Sequence, residues 1–210
     1  MKYWFYAFTK LTVWLIFRFG HGLEVTGQER VPKTGGCLLA SNHVSFIDPP
    51  VLGAACPRRI VFMARRDLFR HALLGAFMRG VHVIPLARGE ADLSAIRSAV
   101  ERMRAGDLLA IFPEGTRQLS GRLGVAKRGV GLLAAAARVP VIPVLVSGTF
   151  RALPPEAKWL QPGKIRVAFG TPIPYTESSS RRTARDQHEQ LATAVTEQWR
   201  QLEGRLQSPG

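Results

Sequence analysis

Leu108-Leu109-Ala110-Ile111-Phe112-Pro113-Glu114-Gly115-Thr116-Arg117 is an unbroken apolar run that ends abruptly in a glycine turn carrying a carboxylate, a hydroxyl and a guanidinium. An apolar run with no polar alternation predicts a strand, Leu108–Phe112, covered on both faces. Further β-type runs lie at Leu23–Thr26, Gly36–Ala40, Ile60–Ala64, Val81–Leu86, Val141–Val146 and Lys164–Phe169. Between them, Asp67–Met78, Asp92–Met103 and Lys127–Arg138 read as helices. In the second of these, Leu93, Ile96, Val100 and Met103 fall on one stripe at spacings of three and four. Buried strands alternating with helices predict an α/β fold with a largely parallel central sheet flanked by helices. Residues 176–183, rich in Ser, Thr and Arg, read as a loop, and Ala184 to about Leu206 as a polar, surface-lying helix with a tail. The expected division is a membrane-associating helix over residues 1–20, an α/β domain over 21–175, and the loop, helix and tail over 176–210.

The composition agrees with one core. A chain of 210 residues, 46% hydrophobic and 21% charged, buries roughly 70% of its unfolded surface and needs no disulfide staples. Two cysteines, Cys37 and Cys56, are too few for a disulfide scaffold or a zinc finger and read as buried thiols. The net charge of +14 favours anionic partners, whether nucleic acid, an anionic bilayer or phosphorylated small molecules.

The aromatic side chains crowd the N-terminus: Tyr3, Trp4, Phe5, Tyr6, Phe8, Trp14, Phe17 and Phe19 all precede Gly20. As a helix the segment from Tyr3 to Phe19 measures roughly 26 Å, short of the ~30 Å hydrocarbon core, and Lys10 lies at its middle. Arg18-Phe19-Gly20-His21 follows the apolar run where a secretory signal would have small residues. Trp and Tyr favour the bilayer interface, so residues 1–20 are expected to lie in or dip into a membrane. The competing reading is a helix packed on the protein's own core.

Two stretches carry chemistry. Ser41-Asn42-His43-Val44-Ser45-Phe46-Ile47-Asp48-Pro49-Pro50 follows a strand. On a continuous helix His43 and Asp48 would point about 140° apart, so they meet only if the chain turns between them. Pro49 favours that turn, because the residue before a proline avoids the helical region and proline suits a helix start. A carboxylate so placed would fix one imidazole tautomer and leave the other nitrogen to accept a proton. Taken singly, Asp48 reads equally as a helix cap and His43 as a loop histidine. In Phe112–Arg117 the arginine suits bidentate phosphate binding, while Gly115 and Thr116 admit backbone amides and a hydroxyl to an anion. The plain alternative is a surface turn whose Glu114 and Arg117 pair with each other. Both stretches end strands, where open α/β sheets bind their ligands. Ile84–Gly89 is another strand end delivering Arg88, and Val139–Val144 is a proline-flanked strand.

In this order the four segments resemble the glycerolipid acyltransferase family, best known for its 1-acylglycerol-3-phosphate acyltransferases. The family's Asn-His-x-x-x-x-Asp block is met by Asn42, His43 and Asp48, with Ser45 also typical. Its Phe-Pro-Glu-Gly-Thr-Arg block is met by Phe112 to Arg117, and its Val-Pro-Val-Ile-Pro-Val-like run by Val139 to Val144. In the remaining block only Arg88 matches, with Ala87 in place of a charged residue, and Gln118 replaces a common serine. The resemblance implies a glycerol-3-phosphate acyltransferase-like fold and transfer of a fatty acyl group from acyl-CoA or acyl carrier protein to the sn-2 hydroxyl of 1-acylglycerol-3-phosphate. His43 would be the general base assisted by Asp48. Arg88, Arg117 and Lys127 would hold the acceptor phosphate, Glu114, Gly115 and Thr116 would belong to the acceptor pocket, and Pro143 to the donor side. No metal or cofactor beyond the thioester co-substrate is expected. The expected partners are a lysophospholipid, the acyl donor and membrane lipids, at the cytoplasmic face of the cell membrane as a peripheral or monotopic protein. Ala87 leaves open another lysolipid acceptor, such as a lyso-ornithine lipid or a lysophospholipid in remodelling.

Other classes find less support. Lys and Arg are scattered singly or in pairs with no long basic run, which argues against a nucleic-acid binder. No Gly-x-Ser-x-Gly or His-Glu-x-x-His run marks a hydrolase. The histidines at 21, 71, 82 and 188 lack metal-type spacing.

Overall fold

A computed structural model describes residues 2–87, 92–175, 177 and 181–207. The strands are β1 (Glu24–Thr26), β2 (Cys37–Ser41), β3 (Ile60–Arg65), β4 (Ile84–Leu86), β5 (Leu108–Ile111), β6 (Val141–Ser147) and β7 (Arg166–Phe169). The helices are α1 (Lys2–Gly20), α2 (Asp48–Ala55), α3 (Ala72–Gly80), α4 (Leu93–Arg104), α5 (Gly129–Ala137), α6 (Thr149–Ala152) and α7 (Arg181–Gln207). All seven strands form one sheet in the order β1-β7-β6-β2-β5-β3-β4. Every pairing is parallel except β6 with β7. The expected α/β architecture is what the chain adopts.

Alternation along the central strands sends side chains to two cores. Leu39 of β2, Leu108 and Ala110 of β5 and Ile142 and Val144 of β6 pack with Val51, Leu52 and Ala55 of α2 and Phe17 of α1. On the opposite face, Leu38, Leu109, Val141 and Leu145 meet Ala99 and Met103 of α4, Val130 and Ala134 of α5, and Val195 and Trp199 of α7. Burial on both faces is why these strands lack polar alternation.

Four local expectations are corrected. Asp67–Met78 is not one helix: Arg66–Arg70 is a 3₁₀ turn, and extended His71 (ψ 119°) caps α3. The strand expected over Val81–Leu86 begins only at Ile84, because left-handed His82 (φ 61°) turns the chain after α3. On α4, Leu93 is 72% exposed, and the buried stripe is Ala95, Ala99, Val100 and Met103. Small side chains let that helix lie close to the sheet, so size outweighs hydropathy in choosing its inner face. The polar α7 is part of the core: Val195 and Trp199 are fully buried, and the Trp199 indole N–H donates to the Ala40 carbonyl at 3.0 Å. Thr196 Oγ1 accepts from the Ala126 amide at 3.0 Å and ties α7 to the start of α5.

Helix α1 packs on the protein's own core along one stripe and is exposed along the other. Its inner stripe combines two polar contacts with apolar packing. The Tyr6 hydroxyl accepts from the Ile60 amide at 3.1 Å, Lys10 donates its ammonium to the Cys56 carbonyl, and Phe17 is buried. The charge that sat awkwardly at the middle of an apolar helix therefore faces the protein, against the carboxyl end of α2, where a cation is favoured. Burial lowers the Lys10 pKa, and burial also raises the thiol of Cys56. The outer stripe exposes Trp4, Phe5, Phe8, Leu11, Trp14, Leu15, Ile16 and Phe19. It continues onto α3, where Phe5 meets the Phe77 ring edge-on at 6.2 Å and Leu73 and Leu74 are exposed. Gly80 permits this approach, since a Cβ there would come within 2.8 Å of the Phe5 ring. Among the described residues no helix is long and apolar enough to cross a membrane.

Replacing Trp199 with Phe keeps most of the buried ring and removes the indole bond that supplements the ladder bond to the Ala40 carbonyl. We expect a loss of about 0.5–1.5 kcal/mol, read as a lower urea midpoint at unchanged m value.

Candidate active site

The carboxyl ends of β2 and β5 deliver the two loops that build the site. Beyond Ser41 the backbone pairing of β2 with β6 is continued by a side chain: Asn42 Nδ2 donates to the Val146 carbonyl at 3.0 Å and Asn42 Oδ1 accepts from the Val146 amide at 2.7 Å. The chain then turns tightly before α2. One oxygen of Asp48, Oδ2, accepts from His43 Nδ1 at 2.8 Å and from the amides of Val44 and Ser45, both at 2.7 Å. The two residues that helix geometry would separate are joined by this turn, with Pro49 and Pro50 starting α2 behind it. Asp48 is fully buried, and its second oxygen has no hydrogen-bond partner among the described residues.

The His43 ring is fixed on two sides. Asp48 holds Nδ1 as the donor, and Phe112 stacks on its face with centroids 4.2 Å apart and planes 26° from parallel. The side chain stays 20% exposed, and Nε2 makes no hydrogen bond among the described residues. A neutral imidazole in this tautomer presents a proton-accepting nitrogen outward.

The second loop clasps the first. Glu114 is 2% exposed and spends both carboxylate oxygens on backbone amides, Oε2 on His43 and Oε1 on Gly124, each at 3.1 Å. Burial pushes its carboxyl above the ordinary glutamate range, and those two amide bonds pull it back down. The Gln118 amide donates to the His43 carbonyl at 2.8 Å, so the β5 loop holds both backbone groups of His43. Glu114 is thus turned inward as a brace between the His43 and Gly124 backbones.

Arg117 is oriented differently. Its guanidinium lies 3.4 Å above the Phe46 ring, and it makes no hydrogen bond or ion pair among the described residues. One face rests on the aromatic, leaving the N–H edges to an anion. The alternative of a Glu114–Arg117 surface pair does not form. Gly115 takes the left-handed conformation (φ +80°) that the turn requires, and a Cβ there would come within 3.1 Å of the Lys127 ammonium. Lys127 is held by its own amide, which donates to the Pro113 carbonyl at 2.9 Å. The structure therefore gathers His43, Asp48, Glu114, Gly115, Arg117 and Lys127, with Thr116 exposed on the same turn. Pro143 is not among them. It is buried within β6, in register with Ala40 of β2, and lines no exposed surface. Arg88 lies outside the described residues.

Sequence reasoning passed over Phe46, Phe112 and the Gly124 amide as parts of the site. Phe46 carried a usable signal, an aromatic in the short turn between His43 and Asp48 with no helix face or strand to bury it.

The comparisons agree with this geometry. A family model described as Acyltransferase matches residues 22–147. The 1-acyl-sn-glycerol-3-phosphate acyltransferase of Bacillus subtilis is 25% identical over 203 residues, covering 96% of this chain and 98% of that protein. The human 1-acyl-sn-glycerol-3-phosphate acyltransferase beta is 32% identical over 163 residues, covering 75% of this chain. The chain spans 59% of the human protein's length and 44% of that of the chloroplastic Brassica napus relative. The crystal structure of the 1-acyl-sn-glycerophosphate acyltransferase PlsC from Thermotoga maritima superposes with a TM-score of 0.73 at 26% identity, covering 93% of this chain and 78% of that one. With the matched segment running from the start of β1 to the end of β6, and both loops of the site inside it, the chain belongs to the acyltransferase family.

Proposed function

We propose that the protein is a 1-acylglycerol-3-phosphate O-acyltransferase, moving a fatty acyl group from acyl-CoA or acyl carrier protein to the sn-2 hydroxyl of lysophosphatidate to give phosphatidic acid. The observation that carries this reading is the clasp of the two loops, which puts an outward imidazole nitrogen and a guanidinium with no polar partner among the described residues on the same pair of loops. The relatives' names supply the acceptor class.

In the reaction, His43 Nε2 takes the proton of the acceptor hydroxyl as its oxygen attacks the thioester carbonyl. Asp48 keeps the tautomer correct and stabilises the imidazolium that forms. The tetrahedral adduct collapses with cleavage of the carbon–sulfur bond, and the leaving thiolate recovers the proton from Nε2. The enzyme ends as it began, with no covalent intermediate. Arg117, backed by Phe46, and Lys127 hold the phosphate, with Arg88 joining them on the family pattern. The protein works as a peripheral or monotopic protein at the cytoplasmic face of the cell membrane, with the outer stripe of α1 and the exposed leucines of α3 against the lipid.

With lysophosphatidate present, thiol release from a thioester donor should fall roughly 10²–10⁴-fold in His43→Ala while the protein stays folded. Near-normal turnover in that variant would remove the mechanism. Activity only with a lysolipid lacking the terminal phosphate would keep the chemistry and replace the acceptor. Arg117→Ala should raise the acceptor KM by roughly 10- to 100-fold, as loss of a charged hydrogen bond does. Phe46→Leu should raise it roughly two- to fivefold with kcat nearly unchanged, the effect of losing an exposed cation–π platform. Equal acceptor KM in all three proteins would move the phosphate elsewhere. Phe17 and Tyr6 tie α1 to the core, so membrane binding is better tested at its surface than by truncation. The pair Phe8→Ser and Phe19→Ser should weaken sedimentation with phosphatidylglycerol vesicles without lowering the thermal midpoint.

A further inference from the structure

The segment between α6 and β7 presents an apolar tip of its own. Trp159 is 81% exposed, Leu160 beside it is exposed, and Lys158 precedes them. Trp159 forms no ring stack and its indole makes no hydrogen bond among the described residues. The backbone around it is well held. The Gln161 amide donates to the Ala152 carbonyl at 2.7 Å, the Ala157 amide to the Pro154 carbonyl at 3.0 Å, and Pro154, Pro155 and Pro162 stiffen the remainder. An exposed indole on a rigid frame is displayed at little ordering cost, as a binding element is.

The placement of this tip gives it a role. At its start, Ser45 Oγ donates to the Leu153 carbonyl at 3.1 Å, joining the segment to the His43 turn. At its far end, His21 Nδ1 lies 3.2 Å from the Gly163 carbonyl and the Ile165 amide donates to the His21 carbonyl at 3.1 Å, joining it to the residue after α1. The sheet explains why these points converge. Ser147 at the end of β6 pairs with Arg166, and Arg166 with Glu24 at the start of β1. The carboxyl end of α1, the Trp159 tip and the catalytic turn thus share one end of the sheet. Phe19, with the Trp14 ring 6.5 Å from it, is exposed at that same end of α1. Arg18 and Lys158 supply cations there, Glu156 is the tip's acidic residue, and Lys164 is paired with Glu24.

We propose that Lys158-Trp159-Leu160 is a second bilayer contact, inserting at the headgroup level of an anionic membrane beside the carboxyl end of α1. The proposal rests on the membrane reading given above. The joined apolar face of α1 and α3 does not by itself set how far the molecule tilts toward its active-site end. A second contact displaced toward the active site fixes that tilt and holds the mouth around His43 and Phe46 at the lipid headgroups. Trp159 and Leu160 enter as apolar anchors at the depth indoles prefer, with Lys158 toward the anionic headgroups.

The test uses the full chain carrying Trp4→Phe and Trp14→Phe, which leaves Trp159 and the fully buried Trp199 as its only indoles. Vesicles of equal parts phosphatidylglycerol and phosphatidylcholine are prepared with and without bromine on the acyl chains of the phosphatidylcholine. We expect a blue shift of the emission on vesicle binding, and quenching of roughly half of it by the brominated lipid. Adding Trp159→Phe should abolish the quenched component and leave the thermal midpoint in place. Protein that sediments with vesicles yet shows no quenching would overturn this contact alone and leave the tip to a protein partner. Protein that does not sediment with vesicles at all would overturn the membrane reading together with it.

Discussion

The site depends on one carboxylate oxygen. Asp48 Oδ2 draws the His43 ring and two successive amides into a single turn, and those three donors determine where β2 ends and α2 begins. The carboxylate sits at the positive end of α2, while Lys10 reaches the Cys56 carbonyl at the negative end. Both placements complement the helix dipole. A helix of eight residues, too short to be stable alone, is thereby fixed at each end and by its apolar faces. The helix that carries the outer apolar stripe and the turn that carries the imidazole are braced against the same short rod.

The β5 loop adds a second level of order. Glu114 and the Gln118 amide grip the two backbone groups of His43, while Phe112 covers its ring. The residues that follow, Gly115 to Arg117, face outward. A single stretch therefore divides its work by direction, with the Glu114 carboxylate turned onto the His43 backbone and the Arg117 guanidinium, without a polar partner among the described residues, resting on Phe46. Burial disfavours the charged form of Glu114, and two backbone donors favour it. Such an arrangement is expensive to disturb, because each amide it holds would otherwise be buried without a partner.

Much of this was legible in the residue order. Strands buried on both faces, such as β2, β5 and β6, announce themselves as apolar runs, and the β-type runs read from the sequence overlap all seven strands described, although β4 proved shorter because His82 uses the preceding residues to turn. The pairing of His43 with Asp48 followed from proline chemistry. What failed shares a cause: hydropathy describes a residue's preference, and packing distance decides its position. Ala95 and Ala99 displaced Leu93 from the inner face of α4 because a close helix needs small side chains. Helix α7 looked polar as a whole, yet Val195 and Trp199 were enough to bury one side of it. Lys10 read as a burden on an apolar helix because its partner, the Cys56 carbonyl, is 46 residues away. Glu114 and Pro143 entered through motif position alone, and hydropathy gave no hint that Glu114 binds two backbone amides or that Pro143 is buried within β6.

The reach of the pairings has a consequence for how the chain is made. Strand β1 pairs only with β7, 142 residues later in sequence, and the Ala40 carbonyl receives the Trp199 indole across 159 residues. Synthesis therefore releases the aromatic helix well before the strand that pairs with β1 and the helix that covers the second core. Contacts so distant in sequence slow folding and prolong exposure of unpaired strands. Through most of that interval the chain displays an aromatic helix beside an unfinished sheet.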